Sequence, residues 1–261
     1  MDSPLNTINT LELLTKIEEF KKLDLKNASF EEISLKSLDT LSCMLVSGCN
    51  FEKKEKLYRI RKLNEDSTNQ IKTFSDIWHP PASMVKTDGR VNLIGNPVLY
   101  CSTDIQTPLY ECDIKVGDCY ALIQYSIKEN EQLIGYLVGN QVEPDNLNET
   151  GKINNKIIND FVISEFTKPV GKGTEYLYKV SNIIAQNFMD MPFCDAYVYP
   201  SIANYKKGWN VAIKPESALR KINFDCVCIC VLKEYSPEGG AIFELKHKAS
   251  AIKNNQLVYQ F

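Results

Sequence analysis

The spacing of apolar residues changes near Lys56, and this change is what most constrains the fold. Up to about residue 50, apolar side chains recur at helical steps, as in Leu14, Ile17 and Phe20. From Lys56 onward, short alternating or β-branched runs are separated by turn formers, and helical periodicity returns only in places. Because strands and helices do not alternate regularly, the pattern argues against a parallel doubly wound sheet and predicts an α+β fold.

In the N-terminal segment, the sequence pattern predicts two helices. In the second, Ser29 stands three residues before Glu32, a spacing at which the two side chains satisfy backbone amides at a helix start. The apolar stripe of this helix consists of Ile33, Leu38, Leu41 and Leu45. We therefore predict a helical N-terminal extension at 1–52, which packs on the rest of the chain or docks a partner, and a larger binding and catalytic domain at 53–261.

In the larger domain, the sequence pattern predicts short strands interrupted by helices. Strands are expected at 57–61, 98–101, 121–127, 196–199, 210–213, 226–232 and 241–245. One helix is expected to begin at Thr107, with the threonine as its cap and Pro108 in its first position. Further helices are expected at 155–165, 174–188 and 215–220.

Charge and hydropathy argue against two classes of partner. The formal net charge is −3 with both signs interspersed, so there is no basic stripe that would predict direct contact with nucleic acid. No apolar run approaches the roughly 18 residues of a membrane-spanning helix. The N-terminus also lacks the pattern of a signal peptide. These features predict a cytoplasmic protein that binds neither nucleic acid nor membrane.

The number and spacing of the nine cysteines predict that they are free thiols. Their number is odd and their spacing irregular, which suits a reducing cytoplasm better than a disulfide framework. Cys226, Cys228 and Cys230 alternate along a predicted strand, which puts their sulfurs on one face, whereas zinc sites prefer two residues between paired ligands. We therefore predict core positions for these three cysteines and no metal site.

Common catalytic motifs are missing from the sequence. It has no Walker loop, no GxGxxG, no GxSxG and no HExxH. The residues that remain for chemistry are arginines, tyrosines, one glutamate and a Tyr-Pro-Ser turn. Arg90, Tyr100 and Glu111 lie in GRVNLIGNPVLYCSTDIQTPLYE (89–111), followed by YPS at 199–201 and GWN at 208–210.

In this order, the elements resemble the RES domain, a family named for its arginine, glutamate and serine. The resemblance covers roughly residues 56 to 245. It implies an ADP-ribosyltransferase-like fold, with a split β-sheet core and flanking helices, that binds NAD and breaks its bond to nicotinamide. Val91 departs from the family pattern, which has an aromatic residue there, and the segment between Arg61 and Arg90 is longer than in the family. Many members are toxins that deplete cellular NAD and are paired with a helix-turn-helix (Xre-like) antitoxin.

Carried over residue by residue, the resemblance implies a site for NAD as substrate, with no other cofactor and no metal. The expected catalytic residues are Arg90, Tyr100, Glu111 and Ser201. The expected substrate-binding residues are Asn92, Asn210 and an early arginine, which is Arg59 or Arg61. The implied partners are NAD and an Xre-like antitoxin, and the formation of a homo-oligomer stays open.

The residue types suit this chemistry. Arginine offers a planar fork of donors for the pyrophosphate of NAD, here from Arg90 and the early arginine. Nicotinamide leaves as a neutral group from a cationic precursor, so one carboxylate suffices where ordinary glycosidases use two. Glu111 is expected to stabilise the oxocarbenium-like transition state and orient the nucleophile. Tyr100 is expected to pack on a ring of the ligand or position its ribose, and Ser201 to anchor the nicotinamide side.

Other interpretations of the same residues stay open. Glu111 near a helix start would interact favourably with the positive end of the helix dipole, and Arg90 after a glycine turn would be a solvated loop residue. Two further functions also suit the pattern, namely transfer of ADP-ribose to a protein and sensing of NAD or ADP-ribose without catalysis. Tyr110 precedes Glu111, so the chain lacks the Q/E-x-E pair of many arginine-directed transferases.

Overall fold

The computed structural model describes residues 3–64, 68–139, 144–204, 207–236 and 240–260. Within them the chain forms one large mixed sheet with flanking helices, which confirms the α+β class. The helices are α1 (Thr10–Lys21), α2 (Phe30–Thr40), α3 (Gln106–Glu111), α4 (Glu149–Phe166), α5 (Tyr178–Ile184) and α6 (Pro215–Lys221). The strands are β1 (Ser47–Phe51), β2 (Lys56–Leu63), β3 (Leu99–Ser102), β4 (Cys119–Ile127), β5 (Leu133–Leu137), β6 (Ala196–Pro200), β7 (Trp209–Ile213), β8 (Ile222–Tyr235), β9 (Ala241–Lys253) and β10 (Gln256–Gln260).

The sheet consists of two half-sheets. The strands lie in the order β1-β5-β6-β7-β3-β2-β4-β8-β9-β10, and neighbours are antiparallel except for β5 and β6, which are parallel. β2 pairs with β4 along its whole length, whereas among the described residues a single pair, Tyr58 opposite Ser102, joins β2 to β3. We call this contact between β2 and β3 the seam. The first half-sheet, β1-β5-β6-β7-β3, therefore meets the second, β2-β4-β8-β9-β10, over a very short length.

The N-terminal helix α1 shares a hydrophobic cluster with α4. Its residues Leu13, Ile17 and Phe20 are buried, and the Phe20 ring meets Phe161 of α4 edge-on, with ring centroids 5.3 Å apart. Leu14, which was predicted to share the stripe, is 42% exposed. The prediction was wrong by one position because Leu13, one helical step of about 100° away, is the leucine that turns into the cluster.

In α2 the predicted helix start is confirmed, since Ser29 Oγ accepts a hydrogen bond from the backbone N of Glu32 at 3.0 Å. Ile33 and Leu41 are buried as expected, but Leu38 is 44% exposed because α2 turns Ser37 and Thr40 inward instead. Leu45 lies beyond the end of the helix and is half-buried.

The segment 1–52 is not wholly helical. Ser47–Phe51 forms β1, which pairs with β5 and adds a strand to the sheet. The helical prediction for this stretch was wrong because backbone pairing with β5, far along the chain, decides its conformation. The division into two domains at residue 52 stays a prediction.

The strands and helices of the larger domain follow the predicted pattern with local differences. α4 begins at Glu149, before the expected start at residue 155, because Asn148 caps it by accepting from the backbone N of Gly151 at 2.8 Å. α5 is shorter than predicted and is flanked by a 3₁₀ turn at Glu175–Leu177 and a π-helical turn at Ala185–Met189. The sequence pattern did not identify β5 or β10.

The cysteines behave as separate thiols. All nine are free. In β8, Cys230 is fully buried, whereas Cys226 and Cys228 are only half-buried because the apolar cluster on their face of the strand thins out toward Cys226. The predicted core position is therefore confirmed for Cys230, in part for Cys228, which packs against the same cluster, and is wrong for Cys226.

None of the helices in the described parts of the chain is long and apolar enough to cross a membrane.

Candidate active site

A cavity of about 410 Å³ opens beside the seam, in the size range of small-ligand sites. Both half-sheets contribute to its lining, with Arg59 from β2, Tyr100 and Ser102 from β3, and Asn210 from β7. Glu111, the last residue of α3, also lines it. The structure thus brings residues that are far apart in the sequence to one place.

Helix α3 presents Glu111 to the cavity from its C-terminal end. Asp104, two residues before the helix, satisfies its first amides, since its Oδ1 accepts from the backbone N of Gln106 at 2.9 Å and of Thr107 at 2.7 Å. The expectation that Thr107 caps the helix was wrong, because Asp104 accepts from these amides instead. Thr107 lies inside the helix, and its Oγ1 donates to Asp104 Oδ2 at 2.7 Å. Since Glu111 ends the helix, the interpretation that it interacts with the positive end of a helix dipole is also wrong.

Two side chains orient the Glu111 carboxylate. Glu111 Oε1 accepts from Ser201 Oγ at 2.6 Å and from Asn210 Nδ2 at 2.7 Å. Both donors are buried and held by further bonds, since Asn210 Oδ1 accepts from Ser102 Oγ at 3.2 Å and Ser201 Oγ accepts from the backbone N of Asn204 at 3.1 Å. Such a connected network fixes the direction in which the carboxylate points.

The end of β6 and the start of β7 place the two donors. Ser201 follows β6 directly, and its backbone N donates to the carbonyl of Gly208 at 2.8 Å. A Cβ atom on Gly208 would lie 1.8 Å from Thr107 Oγ1 in α3. Glycine is therefore required there, because only it lets the turn approach α3 closely enough for Ser201 and Asn210 to reach Glu111.

Tyr100 and Asn92 form a second hydrogen-bonded pair at the cavity. Tyr100 Oη donates to Asn92 Oδ1 at 2.6 Å. Burial raises the pKa of Tyr100, which keeps its hydroxyl protonated and makes it a donor rather than a base. Asn92 does not line this cavity but holds Tyr100, so it supports the site instead of contacting a ligand there.

Arg90 lines the cavity but is not a solvated loop residue. Its Nη1 donates to the carbonyl of Phe166, the last residue of α4, and its Nη2 donates at 3.3 Å to the carbonyl of Lys168, two residues further on. Its guanidinium carbon lies 5.2 Å from the centre of the Tyr178 ring, within cation–π range. The guanidinium plane is thus held in one orientation by α4 and α5.

Tyr178, at the start of α5, is a cavity residue that the sequence did not predict. It lies in a stretch whose apolar periodicity predicted only a core helix. Tyr199 of β6 lines the cavity as well, and burial raises its pKa well above the ordinary value. Together with Tyr100 these side chains give the cavity three aromatic rings.

Of the two early arginines, the structure places Arg59 at the cavity. Arg59 donates through Nη1 to the carbonyl of Trp78 and is half-buried. Arg61 lies outside the lining, is exposed and has its Nη1 3.8 Å from the carboxylate of Asp76. Residues two apart on a strand share a face but lie about 6.6–6.8 Å apart. Arg61 is consequently beyond the end of the cavity, so of the two arginines that the sequence left open, Arg59 is the one that lines it.

The comparisons with known proteins do not extend this picture, since the chain matches no protein-family model and no curated protein. The resemblance to the RES domain therefore depends on the motif residues alone.

Proposed function

We propose that this protein is an enzyme that cleaves the bond between nicotinamide and ribose in NAD. The observation that carries the proposal is the Glu111 carboxylate, held through one oxygen by Ser201 and Asn210 at the lining of a cavity that also contains Arg59 and Arg90. Two guanidinium groups and one oriented carboxylate suit a dinucleotide whose pyrophosphate is anionic and whose reacting ribose becomes cationic.

The chemistry needs few protein groups. The bond from C1′ to the pyridinium nitrogen breaks with its electron pair going to nicotinamide, which leaves neutral and requires no general acid. Glu111 stabilises the positive charge that develops on the ribose. A water or phosphate oxygen then bonds to C1′, and when water attacks, its proton goes to the Glu111 carboxylate. The acceptor is thus water in a glycohydrolase and phosphate in a phosphorylase.

The remaining groups position the substrate. Arg59 and Arg90 supply planar donors for phosphate oxygens, and both are oriented before a ligand binds because each already donates to a backbone carbonyl. Tyr100 offers the ligand either its ring face or its hydroxyl oxygen as an acceptor, because its hydroxyl proton is already donated to Asn92. Such preorganisation lowers the cost of assembling the transition state.

The proposal extends to the fold and the cellular role. Two half-sheets that meet beside the cavity support an ADP-ribosyltransferase-like arrangement. The nine free cysteines support a cytoplasmic location. By resemblance to the RES domain, we infer a toxin that depletes NAD and is restrained by a helix-turn-helix antitoxin.

The test is nicotinamide release from NAD by the purified protein and by Glu111→Gln, with and without phosphate. Glutamine keeps an oxygen for Ser201 and Asn210 but lacks the charge, so release is expected to fall at least about 100-fold. The matched control is Asp113→Asn, two residues away, because Asp113 is exposed and pairs with Lys115 outside the cavity. A dependence of the rate on phosphate identifies the acceptor.

The outcome also separates the alternatives. Equal release by the parent protein and Glu111→Gln contradicts the assigned role of the carboxylate. If the folded parent binds NAD without releasing nicotinamide, the protein is a sensor or a transferase that requires its protein target. If it neither binds nor cleaves NAD, the proposed function is wrong.

A further inference from the structure

A second cavity of about 320 Å³ adjoins the first. The two cavities share Arg59, Gly89 and Tyr100, which form the border between them. The outer wall of the second cavity comes from Pro80 and residues 84–88, and Asn92 and Val98 complete it. The two cavities together form one cleft with two compartments.

The wall of the second cavity is held in place by short-range bonds. A 3₁₀ turn at Ala82–Met84 follows Pro80 and Pro81, which restrict the backbone. The backbone N of Gly95 donates to the carbonyl of Val85 at 3.1 Å, and the backbone N of Ile94 donates to Asp88 Oδ1 at 2.9 Å. These contacts give the segment a defined shape before a ligand binds.

The two compartments differ in chemistry. Glu111 and Asn210 line the first compartment only, so bond cleavage is confined to it. The second combines apolar groups from Met84, Val85 and Val98 with the polar or charged side chains of Lys86, Thr87, Asp88 and Asn92. A compartment with both apolar surface and hydrogen-bonding side chains suits a purine base, which packs through its faces and hydrogen-bonds through its edge.

We propose that the second compartment binds the AMP half of NAD, with the pyrophosphate at Arg59 on the border and the nicotinamide riboside half beside Glu111. This assignment rests on the proposed function. It makes Pro80 and the stretch 84–88 substrate-binding, although none of these residues belongs to the motifs that indicated the site. Arg59 then contacts the one part of the dinucleotide that must cross between compartments.

The test uses the two halves of the substrate as separate probes, with binding measured by titration calorimetry. Thr87→Trp fills the second compartment from an exposed position, and Lys86→Glu reverses its charge without adding bulk. Ser83→Trp is the matched control, because Ser83 is exposed in the same segment but does not line the cavity. We expect Thr87→Trp and Lys86→Glu to weaken AMP binding at least about tenfold. Nicotinamide mononucleotide binding should stay within about twofold of the parent, and Ser83→Trp should change neither probe.

AMP that binds equally well to the parent, Thr87→Trp and Lys86→Glu overturns the assignment, as does a folded parent that does not bind AMP. Nicotinamide release, measured on the same samples, reports separately on the proposed function. Release without the AMP effect means that only the second compartment is misassigned. The AMP effect without release means that the compartment is correctly assigned and the cleavage is not.

Discussion

Removing one donor to the Glu111 carboxylate tests how the site works. Asn210 is 7% exposed, and its Nδ2 lies 2.7 Å from Glu111 Oε1. Asn210→Ala removes this donor, while the main-chain pairing of β7 with β3 and β6 stays available. A hydrogen bond to a charged group contributes about 1.5–3 kcal/mol. At about 1.4 kcal/mol per tenfold change in rate, nicotinamide release is expected to fall about 10- to 150-fold.

The loss should appear in kcat, with KM changed by less than about threefold. The reason is that Asn210 binds the carboxylate, which acts in the transition state, and Ser102, which is not part of the ligand. Initial rates over a range of NAD concentrations separate the two parameters. The matched control is Asn159→Ala, since Asn159 is also buried and its Nδ2 donates within α4, outside the cavity.

A double-mutant cycle sharpens the result. Ser201 Oγ donates to the same carboxylate oxygen, so once either donor is gone the other holds the carboxylate less well. The combined loss in Ser201→Ala/Asn210→Ala should thus be smaller than the product of the single losses. The reasoning is refuted if Asn210→Ala keeps the parent kcat in a sample with the parent melting temperature. A rise in KM alone would instead assign Asn210 to substrate binding.

Two further predictions follow from other residues. Tyr178→Ala removes the ring beside Arg90 and should reduce the rate of NAD cleavage about two- to fivefold, at about 0.5–1 kcal/mol for a cation–π contact; Tyr178→Phe keeps a ring and should retain the parent rate. Asp195 accepts from Lys221 Nζ at 2.6 Å, Ser217 Oγ at 2.7 Å and the backbone N of Ile134 at 2.8 Å. Burial acts to raise the pKa of Asp195, but these bonds outweigh it and hold the pKa below the ordinary value. The contribution of Asp195 to the free energy of unfolding is consequently complete above its unfolded pKa and is lost as the pH falls toward its folded pKa. Urea unfolding of Asp195→Ala should therefore show a loss of about 3–5 kcal/mol at neutral pH. This loss should shrink below about pH 4. An equal loss at both pH values would contradict this.

The sequence predicted the parts of the site that depend on turns and strand ends. Glu111, Ser201 and Asn210 stand in short motifs that contain glycine or proline, and the resemblance of their order to the RES domain is what predicted a common site. The structure adds that Ser201 and Asn210 both donate a hydrogen bond to the same oxygen of Glu111, Oε1. No local pattern could have shown this, because the three residues are brought together by pairing between distant strands.

Other features were beyond local reasoning. Arg59 and Arg61 share a strand face, and only the position of the cavity distinguishes them. Tyr178 begins α5, and the apolar periodicity of this helix predicts only which of its side chains are buried. The contact between Tyr178 and Arg90 depends on how α5 packs against the rest of the chain. Leu13 and Leu14 both suit a helical stripe, and the choice between them is made by α4. In each case a tertiary contact selects among local alternatives that are nearly equivalent.

The order of the strands at the seam has a consequence for motion. The chain passes from one half-sheet to the other between β1 and β2, β2 and β3, β3 and β4, β4 and β5, and β7 and β8. A cleft between two lobes that are each continuous in sequence closes as a hinge about one or two connections. Here the repeated crossings tie the half-sheets together, so rigid-body closure is restricted and the ligand meets a site that is already formed. Small-angle scattering should therefore give the same radius of gyration with and without NAD.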